Sequence, residues 1–186
     1  MFESLEPRVL LSVLTKGALK ITGTNRAETI NVSQRKAYVF VQMSGKQEKF
    51  KLRSVKQILI SGGKGNDDIQ TSGKLPGMNI SGGLGNDTFV FTTLQDSSVA
   101  APDLITDFGV GDKLDFSAID ANTGARGNQA FHVGGSGGHA GDVLATYDSA
   151  TDITTVNLYV NNDAIIDDTL LLTGDHHNLS LVDLIA

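Results

Sequence analysis

The sequence predicts an all-β protein: a parallel β-roll, which is a form of β-solenoid, with a C-terminal β-sandwich-like cap. Two nine-residue glycine-rich repeats and a preceding region of period-two hydrophobicity predict the roll. The composition agrees, because 21 glycines accompany only 6% aromatic residues and no tryptophan. Such a chain suits turns and short strands better than a helical bundle.

The repeats occupy residues 62–70 and 82–90, and both fit the pattern G-G-x-G-x-D-x-U-x, in which U is large and apolar. Glycine allows sharp backbone turns and leaves carbonyl oxygens uncovered. Aspartate adds a hard anionic oxygen, and Ca²⁺ takes about six to eight oxygen ligands. A pair of glycine-rich hairpin turns is the alternative, but it leaves the two aspartates and the apolar U residues unexplained. The repeats therefore predict a calcium-binding roll.

We expect one calcium ion between two turns that stack on the same side of the roll. These turns begin at Gly62 and Gly82, 20 positions apart, which is near the roughly 18 residues that two nonapeptides span. The connection 71–79 contains no acidic residue, which predicts a metal-free turn on the opposite side. Lys64 occupies a variable position and should face solvent, and Asp68, also at a variable position, is not expected to bind.

The predicted site consists only of oxygen donors, and the U residues beside it should point into a thin apolar core. The U positions are Ile60, Ile69, Ile80 and Phe89. The predicted metal ligands are the carboxylates of Asp67 and Asp87 and the carbonyl oxygens of Gly62, Gly63, Gly65, Gly82, Gly83 and Gly85.

Charge is distributed unevenly along the chain. Residues 1–60 contain 11 Lys and Arg with four Glu, whereas residues 61–186 contain four Lys and Arg with 17 Asp, a formal charge of −13. Without metal the acidic segment should repel itself, and calcium would remove that repulsion. The basic first part is also typical of nucleic-acid binding. Its Lys and Arg alternate with apolar residues, as in residues 49–53, so we expect a solvated strand face and no nucleic-acid partner.

Residues 1–16 are interpreted as an N-terminal sorting-like segment. The stretch Leu5–Ser12 resembles the L-E-P-R-x-L-L element near the start of many large planctomycete surface or secreted proteins. The apolar run 9–14 is short for a signal-peptide core and has no basic region before it, so a frayed terminus is the alternative. No run approaches about 18 apolar residues, which predicts no membrane span. The chain has no cysteine, which excludes disulfides and thiolate metal sites.

Residues 17–61 are interpreted as a β-strand repeat region. Within it, Gly23–Ile30 looks like a worn roll turn, with Glu28 in the aspartate position and Ile30 at U. The longer arm of glutamate argues against strong calcium binding, so we expect Glu28 to be structural. Alternation of apolar and polar residues predicts strands over 18–21, 29–33, 37–43, 48–52 and 57–61.

Residues 62–92 are expected to form the calcium-binding roll, and residues 93–186 its cap. The cap region contains segments that resemble the C-terminal module of serralysin-type metalloproteases, at 103–108, 111–117, 127–131, 140–144 and 179–185. Together with the repeats, they make the chain similar to RTX (hemolysin-type) calcium-binding repeat proteins, which include secreted alginate epimerases. The resemblance implies a secreted, non-catalytic module with Ca²⁺ as its ligand.

The chain departs from the family pattern in two ways. It has only two good repeats, and its acidic loop 161–168 lacks the glycines of a calcium loop, so we expect no metal there. Four further aspartates could bind an ion where the roll is capped or could hydrogen-bond backbone N–H groups at turns, and the second role is favoured for Asp107 and Asp115. The four are Asp103, Asp107, Asp112 and Asp115.

No active site is predicted. The serralysin proteases hold zinc with H-E-x-x-H and a third histidine. The chain has four histidines, none beside a glutamate and no two spaced i, i+4. His176 and His177 could join a metal site with Asp175, but solvated histidines are expected instead. The sequence also lacks a G-x-S-x-G motif, a cysteine nucleophile and a Walker motif.

The leading hypothesis is an extracellular calcium-binding module whose roll folds on binding Ca²⁺ and serves as a scaffold, stabiliser or adhesion surface. One alternative is a non-catalytic fragment or accessory domain of a secreted protease or alginate epimerase. Another is a purely structural β protein without metal. Besides calcium ions, the expected partner is type I export machinery or a cell-surface partner. The tail 178–186 resembles the signal that type I exporters read, and a final edge strand is the alternative for it.

Overall fold

The computed structural model describes residues 12–94, 96–180 and 182–185. This part of the chain contains sixteen β-strands and one 3-10 helix, Leu52–Ser54, and no helix in it is long and apolar enough to cross a membrane. The strands are β1 Ser12–Thr15, β2 Ala18–Thr22, β3 Thr29–Arg35, β4 Tyr38–Met43, β5 Lys46–Lys51, β6 Gln57–Lys64, β7 Asp68–Ser72, β8 Met78–Leu84, β9 Thr88–Phe91, β10 Asp103–Ile105, β11 Lys113–Asp115, β12 His132–Val133, β13 Asp142–Asp148, β14 Ile153–Leu158, β15 Asp168–Thr173 and β16 Leu184–Ile185.

The strands form two sheets between which the chain passes back and forth. The first sheet has the order β1-β2-β6-β8-β10-β15-β14-β13-β12, and the second has the order β16-β11-β9-β7-β3-β4-β5. Within the first sheet β2, β6, β8 and β10 are parallel, and within the second β3, β7, β9 and β11 are parallel. Each coil therefore contributes one strand to each sheet, which confirms the predicted β-roll.

Two ladders of apolar side chains fill the space between the sheets. In the first sheet Ile21, Ile60, Ile80 and Ile105 occupy one register position, and each is at most 3% exposed. In the second sheet the corresponding residues are Ile30, Ile69, Phe89 and Leu114, each at most 1% exposed. The four predicted U positions are among them. Burying each such side chain contributes about 1.5–3 kcal/mol to folding, so the ladders are the main source of cohesion between coils.

The winding extends beyond residues 62–92 on both sides. β2 and β3 form a coil before the repeats, and β10 and β11 form one after them. A coil needs an apolar residue on each side of its turn, and Ile21 with Ile30 meets that need without a complete nonapeptide. The proposed division of the chain into domains stays a prediction.

The start of the roll is flanked by antiparallel strands. β1 pairs antiparallel with β2 in the first sheet. A hairpin of β4 and β5, inserted between the first two coils, pairs antiparallel with β3 in the second sheet. The strands predicted over residues 18–61 are thus all present, with limits shifted by a few residues. Most of the predicted sorting-like segment, residues 1–11, lies outside the described residues.

The cap extends both sheets and the core. β14 pairs antiparallel with both β13 and β15, and β15 joins β10 in parallel, so the cap continues the first sheet. β16 adds to the second sheet beside β11. Aromatic contacts connect the core of the roll with that of the cap. Phe91 stacks on Phe116 at 5.6 Å between ring centroids, and Phe116 contacts Phe131 at 6.0 Å. The roll and cap therefore share one apolar interior.

Three buried aspartates lie where the roll meets the cap, on the side opposite the glycine-rich turns. Asp96 accepts hydrogen bonds from the backbone N–H groups of Gly73, at 2.5 Å, and Thr93, at 2.9 Å. Asp103 is 0% exposed; its Oδ1 accepts from Met78 N at 2.8 Å, while its Oδ2 has no partner among the described residues. Burial raises the pKa of Asp103 and of Asp168 to about 8, and the carboxylate of Asp96 adds to both shifts.

These aspartates predict a pH dependence of stability in protein free of divalent cations. A carboxyl whose pKa is raised by folding binds more protons in the folded state, so the free energy of unfolding should fall as pH rises from about 4 to about 8. In Asp103→Asn, which mimics the protonated carboxyl, that fall should be smaller. Urea titrations at several pH values measure it. Asp148→Asn, at an exposed hairpin turn, is the control, and equal slopes for the two variants would contradict the expectation.

Candidate metal centre

Four turns are stacked along one side of the roll, each joining a strand of the first sheet to one of the second. They comprise residues 23–28, 62–67, 82–87 and 106–112. The parallel register runs directly through the middle pair, because Gly63 pairs with Gly83 and Lys64 with Leu84. The two nonapeptide turns therefore lie next to each other on one side, as the spacing predicts.

The turns approach so closely that a side chain would collide with the neighbouring backbone. A Cβ on Gly83 would lie 2.1 Å from Gly63 O, and a Cβ on Gly85 would lie 2.0 Å from Gly65 O. A Cβ on Gly62 would lie 2.5 Å from Gly82 O. The carbonyl oxygens of Gly63, Gly65 and Gly82 thus lie between the second and third turns. Only glycine leaves them this accessible.

The last residue of each turn forms a hydrogen-bonded ladder along the roll axis. Glu28 N donates to Asp67 Oδ1, Asp67 N donates to Asp87 Oδ1, and Asp87 N donates to Asp112 Oδ1, each at 2.8 Å. Because each carboxylate accepts from the residue one coil earlier, the acids occur at one position in successive turns. The ladder fixes their orientation and uses only one oxygen of each acid in the nonapeptide turns.

The second oxygens of Asp67 and Asp87 are buried without a hydrogen-bond partner among the described residues. Each carboxylate curls beneath the first glycine of its own turn: a Cβ on Gly62 would lie 2.4 Å from Asp67 Oδ2, and one on Gly82 would lie 2.2 Å from Asp87 Oδ2. The whole side chains are only 1% exposed. An unpaired buried anionic oxygen is costly unless a cation or proton meets it.

Neighbouring acids strengthen this demand for positive charge. Burial raises the pKa of Asp67, and the nearby carboxylates of Asp87 and Glu28 raise it further. Burial likewise raises the pKa of Asp87, with additional repulsion from Asp112 and Asp107. No Lys or Arg forms an ion pair with a carboxylate anywhere in the described part of the chain, where the recorded pairs all involve histidine.

The donor set fits a hard cation. Two carboxylate oxygens and several glycine carbonyls are the ligands that Ca²⁺ prefers, and the turns contain no histidine, cysteine or methionine to select a softer metal. Over residues 12–94, 96–180 and 182–185, no three acidic or histidine side chains converge as a ready-made metal cluster. A cation in these turns therefore needs backbone oxygens as well as the two aspartates.

The predicted site residues are brought together, and the variable positions face outward. All eight predicted ligands lie in the second and third turns, whereas Lys64 and Asp68 are exposed. Ligation by those eight stays a prediction. The structural role expected for Glu28 agrees with its contacts, since Oε2 accepts from Thr24 N at 2.7 Å and Oε1 from Thr24 Oγ1.

The fourth turn contributes acids that the motif alone does not assign. Asp107 binds the third turn, accepting from Ser81 Oγ at 2.6 Å, Gly82 N at 3.0 Å and Gly83 N at 2.9 Å. Asp112 completes the ladder. The sequence names both aspartates as candidates for an ion site or for turn hydrogen bonds, and the contacts of Asp107 agree with the hydrogen-bonding role favoured for it. Ile105 and Leu114, which flank the turn, continue the apolar ladders. Of the other aspartates left open above, Asp103 lies on the opposite side, and Asp115 accepts from Ser117 N at 2.9 Å as a turn residue.

The histidines make separate contacts. His132 Nε2 lies 2.7 Å from Asp142 Oδ1, and His139 Nδ1 lies 3.5 Å from Asp142 Oδ2. His177 contacts the carboxylate of Asp175, and that hydrogen bond lowers the pKa of Asp175. These pairs lie in the cap, not in the glycine-rich turns.

Known proteins share both the sequence pattern and the fold. The model of the family "Peptidase M10 serralysin C terminal" matches residues 23–186. Serralysin A of Dickeya chrysanthemi is 43% identical over 77 residues, which are 41% of this chain and 15% of that protein. Metalloprotease AprA of Pseudomonas entomophila is 42% identical over 72 residues, 38% of this chain and 15% of that protein. The match thus spans only a small part of each relative's length.

A solved structure has the same architecture. The solution structure of the AlgE6R3 subunit from the Azotobacter vinelandii mannuronan C5-epimerase matches with a TM-score of 0.57 at 22% identity, covering 89% of this chain and 76% of that one. At this identity the likeness shows the all-β parallel roll. The family match is more specific, since it covers the roll and the cap together. The chain therefore belongs to the peptidase M10 serralysin C-terminal family.

Proposed function

We propose that the chain is a calcium-binding module whose roll reaches full stability only when Ca²⁺ binds between the second and third turns. The observation that supports this most directly is the pair of buried Oδ2 oxygens of Asp67 and Asp87, which accept no hydrogen bond from the part of the chain that the structure describes. The ligands would be these carboxylates and the carbonyl oxygens of the six repeat glycines, Gly62, Gly63, Gly65, Gly82, Gly83 and Gly85.

The residues of the chain prepare this site before the ion arrives. The glycines keep side chains out of the space between turns, and the ladder of N–H donors holds one oxygen of each carboxylate. Bound Ca²⁺ would supply the positive charge that no lysine or arginine provides there. Binding to the folded state alone stabilises it by RT ln(1 + [L]/Kd), about 2.7 kcal/mol at a hundredfold excess of ion over Kd.

We also propose that the module acts outside the cell as a non-catalytic accessory domain. Its similarity to Serralysin A and Metalloprotease AprA supports the accessory role, because the matching family model describes the C-terminal part of serralysins and the match spans only 15% of each protease. In this role the folded roll is a scaffold, stabiliser or adhesion surface, and export through type I machinery would precede calcium binding. Scarce calcium inside the cell would then leave the chain loosely folded until it is outside.

Calcium should raise stability far more than magnesium. Adding millimolar Ca²⁺ to chelator-treated protein should increase the β-sheet circular dichroism signal and the melting temperature. Mg²⁺ should do much less, because it demands a smaller, nearly octahedral site and dehydrates reluctantly. Identical melting curves in Ca²⁺ and in chelator would refute the proposal.

Single carboxylates should decide the affinity. Asp67→Asn and Asp87→Asn should each weaken calcium binding at least tenfold, about 1.4 kcal/mol, because asparagine keeps the size and an acceptor oxygen but loses the charge. Asp68→Asn is the matched control, since Asp68 is adjacent in sequence but exposed. Isothermal titration calorimetry measures the three variants. Equal losses in all three would mean that the turns attract calcium only through diffuse charge.

The first glycine of the repeat should be indispensable. In Gly62→Ala the new Cβ would fall 2.4 Å from Asp67 Oδ2 and 2.5 Å from Gly82 O, so the turn must shift. We expect a loss of about 1–3 kcal/mol, with calcium affinity reduced as well. Gly77→Ala is the control, because its nearest contact would be an ordinary 3.4 Å. If thermal melts with calcium show no difference between these variants, the turns do not pack as described.

A further inference from the structure

The outer face of the second sheet carries a groove that the calcium proposal does not use. It lies where β7, β3, β4 and β5 run side by side, and its volume is about 240 Å³. Amide and hydroxyl side chains with one phenyl ring, Phe40, and one guanidinium, Arg35, form most of its lining. Two of the four strands belong to the inserted hairpin. We call this surface, from Gln70 across to Gln47 and up to Arg35, the amide face.

Four amide side chains form a row across the strands of the amide face. The register pairs Gln70 with Asn31, Asn31 with Gln42, and Gln42 with Gln47. Neighbouring strands lie about 4.8 Å apart, so the row spans about 14 Å. None of these amides has a side-chain hydrogen bond to another residue in the described ranges, whereas the nearby Gln34 donates to Lys36 O. Each amide in the row keeps one acceptor and two donor hydrogens for a ligand.

Aromatic rings and cations lie beside that row. Phe40 is half-buried and pairs with Ser33 on one side and Lys49 on the other. The Arg35 guanidinium lies 5.9 Å from the Phe40 ring centroid, and Lys49 Nζ lies 5.4 Å from the centroid of Tyr38. These contacts hold the cations close to the groove.

The amide face carries positive charges that form no ion pairs with carboxylates among the described residues. Arg35, Lys49 and Lys51 are exposed and have no carboxylate within ion-pair distance among the described residues. The acids of the same sheet face are Asp68, at its turn end, and Asp115, on β11. Three of its four strands, β3, β4 and β5, also belong to the basic part of the sequence, residues 1–60, in which 11 Lys and Arg outnumber four Glu. Its charge therefore favours an anionic ligand.

We propose that the amide face binds an acidic polysaccharide, one built of sugar units that carry carboxylates. Sugar hydroxyls donate and accept hydrogen bonds, and so do the four amides. The C–H bonds of a sugar ring pack against an aromatic face such as that of Phe40, whose electron density attracts them. Arg35 and Lys49 then meet the carboxylates. A repeating row of identical groups suits a repeating polymer, and this site lies apart from the calcium turns.

Other partner classes fit less well. Single-stranded nucleic acid is usually held by bases that stack on several aromatic side chains along a basic groove, whereas this groove is lined by one aromatic ring, that of Phe40. A protein interface would need large buried anchors such as aromatic hot spots, whereas the groove offers one half-buried ring among polar side chains. An acidic surface of a second copy of the chain would match the charge but not the row of unpaired amides.

The test compares two polymers with the same backbone on calcium-saturated full-length protein. Polygalacturonate has ionised carboxyl groups, whereas its fully methyl-esterified form has neutral methyl esters on the same backbone. Unbound calcium is removed before the polymers are added, because free Ca²⁺ cross-links only the ionised form. Calorimetry or affinity electrophoresis should show binding of polygalacturonate and at least tenfold weaker binding of the ester. Gln42→Glu, an isosteric change in the middle of the row, should weaken binding of the acidic polymer at least tenfold. Phe40→Ala should do the same.

Gln57→Glu, which adds the same charge at an exposed position of the first sheet, is the matched control and should bind normally. Melting curves of every variant with calcium report the fold and the calcium function separately. The proposal is overturned if neither polymer binds, if the ester binds equally well, or if Gln42→Glu and Gln57→Glu behave alike. Preferential binding of single-stranded RNA, or self-association that Gln42→Glu abolishes, would replace it with another partner.

Discussion

The stacking distance of parallel strands sets the chemistry of the turn side of the roll. Successive coils lie about 4.8 Å apart, so the last residue of one turn lies directly above the last residue of the next. Here those residues are Glu28, Asp67, Asp87 and Asp112. A backbone N–H group donates a hydrogen bond to one oxygen of each of the three aspartates. The negative charges of neighbouring turns nevertheless face one another, and those of Asp67 and Asp87 are buried away from solvent. The two nonapeptide turns therefore bring buried carboxylates close together, which costs folding free energy when no cation is present.

The two apolar ladders contribute stability that opposes the repulsion between these carboxylates. Each coil adds one large side chain to each sheet, and every such side chain is almost fully buried. Because contacts form only between adjacent coils, stability depends on neighbouring coils being present together, as in other solenoids. The glycine turns follow from this geometry, since the ladders draw the coils together until carbonyl oxygens of one turn touch the Cα atoms of the next. The same spacing between coils therefore produces both the cohesion of the core and the close approach of the turns.

The sequence predicted the parts of the fold that repeat within it. The nonapeptide pattern identifies Ile69 and Phe89 as inward residues and Asp67 and Asp87 as turn residues, because local spacing alone decides which way they face. It does not reveal that one oxygen of each aspartate binds the preceding turn while the other has no partner, since that depends on contacts between coils. The sequence names Asp107 and Asp112 as candidates but does not identify the fourth turn as a counterpart of the others, because its acids are spaced differently and only the flanking apolar residues follow the pattern.

Features that arise from strand register are least visible in the sequence. Alternation predicts that Asn31, Gln42, Gln47 and Gln70 face outward, but it does not predict which strands become neighbours. The row of amides exists because an antiparallel hairpin joins a parallel sheet at one particular register. Likewise, Asp168 is far in sequence from Asp96 and Asp103 and becomes their neighbour only where β10 meets β15. Both groupings therefore required the structure.

The antiparallel strands beside the first coil determine where this module can be shortened. β1 and the hairpin β4–β5 cover the edges of β2 and β3, and β5 presents Lys46, Lys49 and Lys51 to the solvent. A fragment trimmed to the two nonapeptides would instead begin with β6 and β7 as bare parallel edges above an open apolar core. Unprotected edges of this kind recruit strands from other molecules. We therefore expect such a fragment to associate through these edges, whereas in the longer chain β1 and the lysine-rich hairpin already occupy the pairing positions beside β2 and β3.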